Sequence, residues 1–168
     1  MIRKMLTAQL LLGAVAFAQA PSLGLTDKAP LIKSNHTLAC PAGTKQVGGV
    51  NTNLGAVGCM KFATTGLRLF HGPMISFYGN GKVEAVGQSE EGFRSGKWSF
   101  FDEAGNKVGE TEFTRGDYNG RRVEFLPDGR LKLEEFWVNG KRQGPQKAFD
   151  SAGLVTVTEY QDDRPVAK

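Results

Sequence analysis

The sequence predicts an all-β fold: a meander of about four consecutive β-hairpins forming one elongated, twisted antiparallel sheet, with a small disulfide-stapled N-terminal cap. Three observations carry this. Gly72, Gly96, Gly120 and Gly144 recur at a step of 24, as do Gly81, Gly105, Gly129 and Gly153, and Phe77, Phe101, Phe125 and Phe149. Series that keep one spacing without a slip mark a repeat architecture whose copies are each one small supersecondary unit. Gly79-Asn80-Gly81 and Pro127-Asp128-Gly129 place Asn or Asp before Gly between strand-compatible runs, which is a hairpin signal. Glycines also recur every nine to fifteen residues, too closely for a stable amphipathic helix.

The N-terminus reads as residues 1–18, a secretory signal peptide. Arg3 and Lys4 precede an apolar run from Leu10 to Phe17, followed by small residues, and the run is too short to span a bilayer. Cleavage after Ala18 is favoured over Ala20, because the latter would leave Pro21 directly after the cut. Export is therefore expected, to the periplasm, the cell surface or the medium. Residues 19–36 contain proline and small polar residues without a sustained period, the composition of a flexible leader.

Residues 37–66 form a glycine-rich cap module holding Cys40 and Cys59, the two cysteines of the chain. In an exported protein an even pair most simply forms one disulfide, here closing a loop of about 20 residues and stabilising by roughly 3 kcal/mol in the chain-entropy model. The apolar content is too thin for a separate core. The module is expected to pack on the first repeat, as the end of a stacked array requires.

Residues 67–168 hold the repeats, 72–95, 96–119, 120–143 and 144–164. In each, a glycine opens a strand, a turn ending in glycine follows, and a second strand runs into a closing turn. The recurring turn glycines 81, 105, 129 and 153 supply a positive φ, as the bulge residue after a type I turn. The four phenylalanines must share a face, since equivalent residues of successive hairpins stack, and this is expected to be the better buried face. Trp98 and Phe100 alternate with Phe101 and belong to the opposite face. Asp162-Asp163-Arg164-Pro165 puts charge and proline where an open edge would invite aggregation.

Charge excludes one class of partner. The formal net charge is +4, but loss of Arg3 and Lys4 takes the 21 basic residues to 19 against 17 acidic ones. Residues 67–168 carry 15 basic and 16 acidic residues with interleaved signs, so the basic stripe of a nucleic-acid binder is missing. Catalytic constellations are equally absent from the pattern. Of the two histidines, His36 sits in the leader and His71 in a turn context, with no nucleophile placed beside either. Glu110 and Glu112 are the one carboxylate pair able to share a strand face, and no metal, cofactor or phosphate motif is present. A non-enzymatic role without cofactor is expected. The aromatic residues off the phenylalanine column, Trp98, Phe100, Tyr118 and Trp137, are the candidate partner contacts.

The spacing Gly-x-Trp-x-x-aromatic-x-x-x-Gly, then a strand, then two glycines four apart, resembles the MORN-repeat variant of bacterial proteins. It is carried by Gly96, Trp98, Phe101, Gly105, Gly116 and Gly120, and by Gly120, Phe125, Gly129, Gly140 and Gly144. The upstream Cys40-Pro41-Ala42-Gly43 and the stretch 66–73 resemble the N-terminal module of secreted members. The resemblance implies a binding or scaffolding module acting on a protein or envelope component. Antitoxin or immunity-type neutralisation and membrane-surface association are the alternatives it carries. Arg122 and Gln146 replace the tryptophan and Arg164 the last glycine, which implies an incomplete fourth repeat.

Overall fold

The computed structural model describes residues 28–32, 37–62 and 64–167. The signal-peptide expectation and His36 lie outside them. The chain is all-β: twelve strands in one open, antiparallel sheet. The cap supplies the first two, β1 (Thr44–Gly48) and β2 (Ala56–Phe62). The repeats follow as β3 (Arg68–Phe77), β4 (Val83–Glu90), β5 (Phe93–Phe101), β6 (Lys107–Thr114), β7 (Asp117–Phe125) and β8 (Leu131–Val138). The last copy comprises β9 (Lys141–Arg142), β10 (Gly144–Phe149), β11 (Val155–Gln161) and β12 (Arg164–Pro165). Strands pair in chain order, except that β9 and β10 both pair β8. These two are the halves of one strand equivalent to β5 and β7. The break falls at Gln143, whose N–H bonds the Phe136 carbonyl at 2.8 Å.

The hairpin turns repeat atom for atom. Tyr78, Asp102, Leu126 and Asp150 each donate N–H to the residue four positions on, and each accepts from the glycine three positions on, at 2.8–3.0 Å. That is a type I turn closed by a glycine bulge, with φ of 79–84° at Gly81, Gly105, Gly129 and Gly153. The closing turns form a second series along the other edge. Gly92, Gly116 and Gly140 donate N–H to the carbonyls of Phe70, Arg94 and Tyr118, so each closing turn is bonded to the first residues of β3, β5 or β7 in turn. In the last copy Asp162 and Asp163 take this turn at φ of 49° and 66°, and Asp163 N–H bonds the Arg142 carbonyl. The turn therefore completes one residue before Arg164.

Cys40 and Cys59 are joined in a disulfide with Cα atoms 5.4 Å apart. The cap does more than close the end of the array. Leu38, Val57 and Cys59 form one buried cluster with Ile75, Phe77, Val83, Val86 and Phe101, while Ala29, Ile32, Cys40 and Val50 pack against it. Cap and preceding segment thus cover the phenylalanine face of the first repeats. Within the span 19–36, the described residues 28–32 are seated on the sheet. Ala29 N–H bonds the Gly105 carbonyl at 2.8 Å, and Lys28 bonds Asn106.

Cover decides burial along the column. Phe77 is 7% exposed and Phe101 1%, whereas Phe125 and Phe149 are only partly buried. Beyond the cap, Val155 and Val157 on the same face are 44% exposed. The opposite face carries a second cluster, of Ala85, Trp98 and Phe113, with Met74, Phe100 and Tyr118 packed against it. Both faces of this sheet are thus core-like in part, where the sequence pattern suggests a single core face.

A candidate binding face on the aromatic side

The second face is built around Trp98, which lies flat across the neighbouring strand. A Cβ at Gly87 would stand 2.3 Å from the Trp98 ring, so the missing side chain is the space the indole occupies. Its Nε1 donates to the Gln88 carbonyl at 2.8 Å. From there the rings continue across the sheet in edge-to-face contact. Trp98 and Phe113 are 6.5 Å apart, Phe113 and Tyr118 5.2 Å, and Tyr118 and Trp137 5.0 Å.

The four candidate contacts are thereby brought onto one face, with different roles. Trp98 is 1% exposed and offers no surface to a partner; it is the floor of the cluster. Phe100, Tyr118 and Trp137 are partly buried and keep an exposed part. Trp137 Nε1 and Gln146 Oε1 are shielded from solvent without a hydrogen-bond partner.

Arginines overlie this aromatic row, a contribution the aromatic count alone does not reveal. Arg94 lies 4.7 Å from the Trp98 ring centre, 5.4 Å from Phe100 and 5.5 Å from Phe113. Arg122 lies 5.8 Å from Tyr118, and Arg142 4.2 Å from Tyr160. The 24-residue step holds the signal: Phe70, Arg94, Tyr118 and Arg142 are equivalent positions, so cation and ring alternate from copy to copy. Arg122, at the position equivalent to Trp98, is held by Glu135 and Glu124, both at 2.5 Å. Burial works against its charge, but the hydrogen bonds it donates to Glu135 and Glu124 outweigh it and push its pKa above the ordinary arginine value. Lys132 completes the network at 3.0 Å from Glu124.

Between these groups runs a groove of about 380 Å³. It is lined by Gly109 and Thr111, by the rings of Phe100 and Tyr118, and by the charged Arg94, Arg122, Lys132 and Glu124. The volume lies within the range of small-ligand sites.

Two carboxylates on the phenylalanine face, Glu110 and Glu134, are engaged by cations, whereas Glu112 forms no ion pair among the described residues. Glu110 takes Lys107 at 2.9 Å and Lys97 at 3.7 Å, and Glu134 takes Arg121 at 2.8 Å and Lys147 at 3.1 Å. Glu135, next in sequence to Glu134, faces the other way and meets Arg122. His71, expected in a turn context, lies within β3, 3.2 Å from Glu91 of the first closing turn. Among the described residues no cluster of three metal-ligating side chains occurs, and no helix is long and apolar enough to cross a membrane.

No family model and no curated protein matches the chain. Among solved structures it is similar to a chain of the GtfA/B complex bound to UDP and GlcNAc, at 9% identity and a TM-score of 0.27. The match covers 79% of this chain and 27% of that one.

Proposed function

We propose that this is an exported, non-enzymatic β-repeat protein of the MORN-variant type, which binds a protein or cell-envelope component across its aromatic face. The observation that carries the reading is the groove between Phe100 and Tyr118. It joins partly buried rings to arginines on a regular sheet, the residue types over-used in binding hot spots. The engagement of Glu110, Glu134 and Glu135 by cations accords with a non-catalytic role. Export is supported by the N-terminal sequence and by the disulfide.

Site-specific photo-cross-linking tests the face. A photoreactive phenylalanine at Lys132, on the groove rim, should trap a discrete partner in the envelope fraction, and one at Val157, on the opposite face, should not. Tyr118→Ala should weaken the Lys132 adduct about tenfold or more, the loss typical of a contact hot spot. Equal adducts from both positions would sink the assignment.

A further inference from the structure

Arg94 differs from the other two arginines of this face in having no acid. Arg122 is clamped by Glu124 and Glu135, and Arg142 Nε lies 3.1 Å from Asp163. Among the described residues, Arg94 has contacts to three aromatic rings but neither an ion pair nor a side-chain hydrogen bond. Its guanidinium therefore rests on an aromatic floor with five N–H donors uncommitted, in the fork geometry that matches a carboxylate. The floor is fixed, since Trp98 is buried and tied to the Gln88 carbonyl. Directly beside it the groove opens, with Arg122 and Lys132 already neutralised by Glu124 and Glu135.

We infer that Arg94 is the anchor of a carboxylate-binding subsite whose ligand is a peptide segment presenting a terminal or side-chain carboxylate next to an apolar residue. The carboxylate pairs with the free fork of Arg94, and the apolar group lies between Phe100 and Tyr118, which line the groove with Arg94. A peptide fits better than an enclosed small acid. The groove is open, its residues Arg94 and Lys132 being exposed. The partner thus supplies the acid that Glu135 and Asp163 supply within the chain.

This rests on the binding face proposed above, and the two fail separately. Protein from residue 19 onward is titrated with N-acetyl-Gly-Gly-Phe bearing a free C-terminal carboxylate, with its C-terminal amide, and with 3-phenylpropionate. The Trp98 indole N–H resonance and tryptophan emission are followed. The free-acid peptide is expected to bind at least tenfold more tightly than the amide. Arg94→Gln should abolish that difference and Arg94→Lys should reduce it, each with an unchanged circular-dichroism spectrum, while Arg142→Gln should preserve it. Equal binding of acid and amide, or an unchanged preference in Arg94→Gln, would overturn the inference, as would no binding of any probe. Binding of 3-phenylpropionate without the peptide would overturn the peptide source. Lys132 cross-linking that persists in Arg94→Gln would remove Arg94 from the site while leaving the face as the binding surface.

Discussion

At the scale of the residue, the least conspicuous position is among the most constrained. Gly87 lies in mid-strand and outside the recurring glycine series, yet the Trp98 indole fills the space of its absent Cβ at 2.3–2.5 Å. A methyl there meets the body of a buried ring, so the ring must lift, break its bond to the Gln88 carbonyl and disturb the Arg94 stack. Gly87→Ala is expected to destabilise by about 1–3 kcal/mol, the usual cost of overpacking a close-packed site. Gly79→Ala, where nothing lies within 4 Å of the new Cβ, should be close to neutral. Equal urea midpoints for the two variants would contradict the fit of Trp98 on Gly87. The side of the sheet that Trp98 faces was legible from strand alternation. Its burial was not, because burial depends on which residue of the adjacent strand lies beneath it, and that register includes a bulge between Val86 and Gln88.

At the scale of the element, each strand pair beyond the cap exchanges apolar cover for paired charge. Glu134 is held below the ordinary glutamate value of 4.5 by hydrogen bonds from Arg121 and then Lys147. For Glu110 burial pushes upward, but the bond and charge of Lys107, aided by Lys97, bring the carboxyl below 4.5. Glu124 behaves alike, with Lys132 and Arg122 outweighing its burial. A carboxyl depressed in the folded state stabilises fully above its unfolded value, and that contribution is lost as pH falls through the lower folded value. The urea midpoint should therefore be flat above about pH 5 and fall steadily below 4.5. Glu134→Gln should lower the plateau and shrink the acid drop. A midpoint unchanged down to pH 3 would show that these pairs contribute nothing to stability. Hairpins, turn glycines and the disulfide were readable because each depends on neighbours close in the chain. The ladder was not, since the pairing of Lys147 with Glu134 depends on how β10 meets β8 beyond the break at Gln143.

At the scale of the whole molecule, stability is unevenly distributed. The first half carries a two-sided core: the cap covers Ile75, Phe77, Val86 and Phe101 on one face, and the Trp98 cluster fills the other. The last copy has neither, and its Leu154, Val155 and Val157 remain exposed. In an array whose units touch only their neighbours, stability is a sum of unit and interface terms, so removing a unit costs what that unit holds. A chain ending at Gln143 is therefore expected to keep a cooperative thermal transition at slightly lower temperature. A chain beginning at Leu67 loses the cap, uncovers five side chains that are now at most 7% exposed, and should melt without cooperativity and bind a hydrophobic dye. The repeat pattern marks the fourth copy as incomplete but does not show how far the cover reaches, because that cover comes from residues 28–32 and 37–62, which lie outside the period. Cooperative melting of the chain lacking the cap, with a molten chain ending at Gln143, would place the folding core in the last copies instead and reverse the gradient.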